Sequence, residues 1–162
     1  MDYLWSPWRY QYLRTPVQKT ACIFCTMAAD SHDEENLIVH RGAHNFVVLN
    51  RYPYTSGHLM VVPYGHAARL AGIDEAAATE LMGLTRLAER HLTAIYRPEG
   101  LNVGMNIGES AGAGIAGHIH MHVLPRWHAD ANFMTTIGET RVIPEDLAGT
   151  WRRVHEAFSQ PS

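Results

Sequence analysis

Residues 117–127 read GHIHMHVLPRW. Three histidines, His118, His120 and His122, alternate with apolar residues. A period of two belongs to a β-strand, whose side chains point to opposite faces in turn. A helix would scatter the imidazoles around its axis. The pattern therefore predicts a strand with Ile119, Met121 and Val123 on one face and three imidazoles on the other, neighbours about 6.6 Å apart. A single histidine on a strand is commonly just solvated or hydrogen-bonded. Three in register call for a shared task.

The preceding segment narrows that task. GESAGAGIAG, residues 108–117, contains Gly108, Gly112, Gly114 and Gly117 and almost no bulky side chain. Glycines let backbone N–H groups close around an anion. A plain flexible loop is the bland alternative. Because this loop runs straight into the histidines, a phosphate held on its amides would lie beside an imidazole. Two chemistries then compete. The histidines hold a catalytic metal, His-x-His being a zinc spacing. Otherwise one of them is a nucleophile that its neighbours orient.

The rest of the chain supplies a frame. NLIVHRG (36–42) and HNFVVLN (44–50) predict a hairpin, HLMVVP (58–63) a central strand and LNVGMN (101–106) a further strand. Asp74 is placed to cap a helix whose apolar residues, Leu81, Leu84, Ala88, Leu92 and Ile95, recur at three and four. A last helix is expected from near Pro144, with Leu147, Trp151, Val154 and Phe158 on one face. Strands, helix, strands, helix with short connections predict an α+β fold with a mainly antiparallel sheet. Residues 1–20, with Tyr3, Trp5, Trp8, Tyr10 and Tyr12, read as an aromatic N-terminal arm. Residues 21–162 read as one domain, and 46% apolar residues suffice for its core.

Charge and hydropathy exclude several functions. Thirteen basic residues against 16 acidic, net −3, give no footprint for nucleic acid. A small anion needs only a few local donors. No apolar run approaches the roughly 20 residues that span a bilayer. The early Asp2, Pro7 and Arg9 argue against a secretory leader. A cytoplasmic protein with no membrane partner is expected. Its two cysteines, Cys22 and Cys25, are too few and too close for a disulfide framework. C-x-x-C then reads as redox or zinc, and the βαβ context of a thioredoxin-like site is missing.

HIHMHVL resembles the His-φ-His-φ-His-φ-φ signature of the histidine triad (HIT) family, φ being apolar. VVLNRYPYTSGHLMVVP is similar to that family's strand–loop–strand ending in Gly-His, and NIGESAGAG to its Asn and Gly-rich segment. LWSPWRYQYL and LPRWHADANFMTTIGETRVIP resemble its bacterial diadenosine tetraphosphate phosphorylase branch. The resemblance implies a five-stranded antiparallel sheet with two principal helices, joined across a homodimer. It implies nucleotidyl transfer or hydrolysis on dinucleoside polyphosphates through a covalent nucleotidyl-histidine. Two alternatives share these residues: an adenosine 5′-phosphoramidase and a nucleotide-binding module without turnover. By position the resemblance makes His120 the nucleophile, His122 a phosphate contact and His58 the residue that positions the triad. Asn50 matches the ribose-binding position and Asn106 a polar residue near the phosphates. Many members carry Gln, Ser or Thr just before the triad, but this chain has Gly114-Ile115-Ala116-Gly117. Phosphate contacts then fall to Ser110 and to backbone amides around Gly112 and Gly114.

The resemblance also bears on the cysteines. Some HIT proteins bind structural zinc with C-x-x-C, a His after the VVP strand and the first triad His. VVPYGH supplies His66, so the implied set is Cys22, Cys25, His66 and His118. Four such ligands form a closed site with no open position for catalysis. His118 is then occupied and His120 is left as nucleophile. The other reading is two incidental core cysteines.

Overall fold

The computed structural model describes residues 21–128, 130 and 145–160. The aromatic arm expected over 1–20 and the helix start expected near Pro144 lie outside the described residues. The elements in chain order are α1 (Ile23–Ala29), α2 (Asp33–Asn36), β1 (Ile38–Arg41), β2 (Asn45–Leu49), β3 (Leu59–Pro63), α3 (Glu75–Tyr96), β4 (Gly100–Gly104), β5 (Met121–Arg126) and α4 (Leu147–Ser159). The strands form one antiparallel sheet of order β1-β2-β3-β5-β4. The expected fold class is therefore the observed one.

The apolar runs go where continuous burial requires. Every residue of β2 and β3 is buried, as expected for strands covered on both faces. The long helix α3 lies against them through Ala77, Leu81, Leu84, Ala88 and Leu92, the face its three-four spacing predicts. Its start is fixed by Asp74, whose carboxylate accepts the Ala77 amide at 2.7 Å. The last helix, α4, has the same device: Asp146 accepts the Gly149 amide at 2.6 Å, and Val154 and Phe158 are buried.

The two outer strands differ. On β1 the Trp151 indole N–H donates to the Ile38 carbonyl at 2.9 Å, and His155 Nδ1 donates to the Val39 carbonyl at 2.9 Å. The two rings stack at 4.6 Å, and the β1–β2 register shifts between Ile38 and His40. At the other edge β4 pairs only with β5 among the described residues, and Asn102, Val103 and Gly104 are exposed. Among the described residues no helix is long and apolar enough to cross a membrane.

Candidate active site and metal centre

The histidine segment is only partly a strand. β5 begins at Met121, so His122 alone of the three sits in the ladder, opposite Met60 on β3 and Gly104 on β4. Before it the chain is held elsewhere: the Ile119 amide donates to the Ala67 carbonyl at 2.7 Å. That bond draws His118 toward the loop after β3, where His66 lies. Three imidazoles in strand register on one face are therefore not what forms. His120 and His122 are neighbours, ring centroids 4.7 Å apart, while His118 lies edge-on to His66 at 5.0 Å.

Four of the rings are deeply buried, His58 and His118 at 0% exposed, His120 at 5% and His122 at 9%, whereas His66 is exposed. Their hydrogen bonds fix which nitrogens carry protons. A carbonyl can only accept, so His120 Nδ1, 2.9 Å from the His118 carbonyl, holds its proton and donates it. The neutral ring then has a bare lone pair at Nε2. A backbone amide can only donate, so His58 Nδ1 accepts from Tyr54 N–H at 3.2 Å. His58 Nε2 therefore carries the proton and donates to His122 Nδ1 at 2.8 Å. His122 keeps its own proton on Nε2. One ring is set as a lone-pair donor and its neighbour as a hydrogen-bond donor. Phe24 closes the other side of His120, centroids 5.0 Å apart.

The loop carrying His58 is closed by the Asn50 amide, which donates to the His58 carbonyl at 2.9 Å. Asn50 Oδ1 accepts the Tyr52 amide at 2.9 Å, which shapes the turn. Gly57, at φ 77°, seats this loop on α3, and a β-carbon there would fall 2.8 Å from the Tyr96 ring. Asn106 follows the end of β4 by two residues and is half-buried. Ser110 is exposed on a single 3-10 turn between Gly108 and Gly112, both at φ 88°. Gly112 and Gly114 are exposed.

Burial pushes His118, His120 and His122 below the usual imidazole range, His122 to about 4 with repulsion from His120 adding to burial. This has a measurable result. Unfolded, His122 titrates near 6.5; folded, it stays neutral down to about 4. Between those values the unfolded chain holds the extra proton. The stability that neutral His122 contributes is complete above pH 6.5 and is lost as pH falls through 4, up to about 3 kcal/mol. Urea titrations at pH 7, 5.5 and 4 should show a steeper decline for wild type than for His122→Asn. Equal slopes would rule His122 out as the source.

The second cluster is Cys22, Cys25, His66 and His118, whose ligand atoms lie within 4.8 Å of one another. Cys22 Sγ is 3.3 Å from His118 Nδ1, Cys25 Sγ 3.3 Å from His66 Nδ1 and 3.6 Å from His118 Nδ1. A tetrahedral ion at about 2.3 Å from sulfur and 2.0 Å from nitrogen gives N···S edges of about 3.5 Å. His118 Nε2 donates to the Pro63 carbonyl at 2.9 Å, which leaves Nδ1 bare toward the thiols. That outer hydrogen bond is what a metal-ligating histidine requires. The four residues could therefore hold a metal.

Two contributors escaped the sequence reading. Phe24 lies between the two cysteines, 5.4 Å from the His118 ring as well as against His120. Its position inside C-x-x-C was the available signal. Tyr54 acts through its main-chain amide, for which side-chain chemistry gives no signal.

Paired imidazoles of opposite hydrogen-bonding character, set on a five-stranded antiparallel sheet beside a Gly-rich loop, define a histidine triad protein. The HIT domain family model matches residues 32–129. The AP-4-A phosphorylase of Mycobacterium tuberculosis (strain ATCC 25618 / H37Rv) is 44% identical over 156 residues, 92% of this chain and 80% of that protein. The chain belongs to the HIT family. Among solved structures, a zinc-bound histidine triad family protein from Mycobacterium smegmatis superposes with a TM-score of 0.69 at 24% identity, covering 86% of this chain and 94% of its own. A hypothetical histidine triad nucleotide-binding protein from Sulfolobus tokodaii strain7 gives 0.67 at 26%, covering 84% and 91%.

Proposed function

We propose that this HIT-family enzyme splits dinucleoside polyphosphates, diadenosine tetraphosphate foremost, by passing a nucleotidyl group through His120. The observation that carries this reading is the 2.9 Å bond from His120 Nδ1 to the His118 carbonyl, which leaves Nε2 free to attack. The Nε2 lone pair forms a bond to the α-phosphorus, and the bond from phosphorus to the leaving polyphosphate oxygen breaks with its electron pair. The ring keeps its Nδ1 proton, and the His118 carbonyl faces the positive charge that develops. His122 Nε2–H is the donor for phosphate oxygen. An acceptor oxygen then takes the phosphorus and returns the pair to Nε2. Asn50 is assigned to the ribose, and Asn106, Ser110 and the amides around Gly112 and Gly114 to the phosphates.

The relative named AP-4-A phosphorylase favours phosphate over water as acceptor. Incubation with diadenosine tetraphosphate, with and without phosphate, separates them: ADP plus ATP reads as phosphorolysis, AMP plus ATP as hydrolysis. No turnover of that substrate under either condition would sink the proposal.

Zinc is assigned to Cys22, Cys25, His66 and His118, on the tetrahedral edges, the His118 tautomer and the zinc-bound M. smegmatis relative. Such an ion supplies structural cross-linking, with no open position for chemistry. The same family reading carries a homodimer, for which the exposed edge of β4 is the natural seam.

A further inference from the structure

Helix α1 has seven residues, too few to hold together on its own. Yet it carries Cys25, follows Cys22 directly and presents Phe24 to His120. Its C-terminal end is held by one side chain distant in sequence, Arg41 at the end of β1. The guanidinium donates to the carbonyls of Ala28 at 3.0 Å, Met27 at 3.4 Å and Asp30 at 2.5 Å. Met27 O also accepts the Asp30 amide at 3.3 Å, while the others are the kind of carbonyl a helix end leaves open, and a cation there complements the helix dipole. Asp33 fixes the guanidinium itself through Nε at 3.0 Å and Nη2 at 2.8 Å.

The Arg41 guanidinium also lies beside the Tyr64 side chain. Tyr64 follows β3 directly, packs its ring 5.5 Å from Phe46 and lies two residues before His66. Arg41 therefore spans the two segments that must meet at the metal: the helix with both thiols and the strand end leading to His66. It touches none of the four ligands.

We propose that Arg41 is the positioning residue that presets the four-ligand centre and thereby sets its affinity for zinc. The inference rests on the zinc assignment above. Without the guanidinium, the ion itself must gather α1 and the His66 loop, and the ordering cost is taken from binding. Losing such an outer support typically lowers metal affinity about 10–100-fold. A lysine has a point charge in place of a planar fork and cannot reach the carbonyls, Asp33 and Tyr64 together.

The test is zinc competition against a chromophoric chelator on the full chain, with Co(II) absorption reporting the thiolate geometry. Arg41→Met should bind zinc about 10–100-fold more weakly and Arg41→Lys should fall between it and wild type. At saturating zinc both should recover wild-type kcat, because Arg41 does not touch substrate. Wild-type zinc affinity and an unchanged Co(II) spectrum in Arg41→Met, even with a lowered Tm, would overturn the proposal and leave Arg41 a general brace. Should Arg41→Met not fold, wild-type affinity in Arg41→Lys would overturn it equally. A wild-type chain that takes up no zinc fails at the assignment itself, before any variant is made, and this inference falls with it.

Discussion

Replacing His120 by alanine should abolish turnover, by about 10⁴-fold or more, while AMP still binds within a few-fold of wild type. The reason lies in when each contact acts. On the proposed route Nε2 bonds to phosphorus only on the way to the transition state, so its loss should fall on kcat rather than on ground-state affinity. The ring is buried between Phe24 and His122, so alanine also leaves a cavity and lowers stability somewhat. His120→Asn fills more of that space and still lacks the nucleophile. It should be as inactive as alanine and more stable. Rapid-quench mass spectrometry should find a nucleotidyl adduct on the wild-type peptide containing His120 and none in either variant. An alanine variant with near-normal kcat would exclude the covalent route altogether.

Cys22→Ser should lower bound zinc and the thermal midpoint together, the midpoint by about 10 °C or more. Three segments far apart in sequence meet at this centre: the start of α1, the loop after β3 and the residue that opens the triad. A single ion would close all of them, so its binding energy would largely be folding energy. Loss of one thiolate leaves three ligands and a weak site. Activity should fall only as far as His120 loses its support from His118 and Phe24. His120→Ala should retain full zinc, and His118→Ala should lose zinc and part of the activity, since on the proposed assignment its ring is a ligand and its backbone, which orients His120, loses that anchor. Elemental analysis decides: wild-type protein made with zinc available but holding well under one equivalent per chain would reduce Cys22 and Cys25 to ordinary core residues.

Local periodicity carried much of this architecture in readable form. The apolar runs of β2 and β3, the three-four spacing of α3 and the Asp74 cap each dictate their own element. The exceptions share a cause. His118 leaves the strand because Ile119 bonds to Ala67, about fifty residues earlier, and alternation is blind to such a partner. The CIFC segment is helical although seven residues are too short to display a period. Its helix is held by Arg41, by buried Phe24 and Met27 and by the cysteines' own partners, all of them long-range. The site divided along the same line. The residue types of the triad and of the four-ligand set announce their chemistry. The groups that set proton positions are the Tyr54 amide and the His118 and Pro63 carbonyls, and every residue has those.

The covered edge of β1 has a consequence for the molecule in a crowd. Open-ended growth by strand addition needs units with two sticky sides, one to dock and one to extend. Here Trp151 and His155 already occupy the outward carbonyls of Ile38 and Val39. Among the described residues β4 is the edge left for a newcomer, and a pair so formed would present β1 at both its ends. Edge-to-edge addition would then terminate at two chains, with the C-terminal helix as a chain stopper against fibre formation.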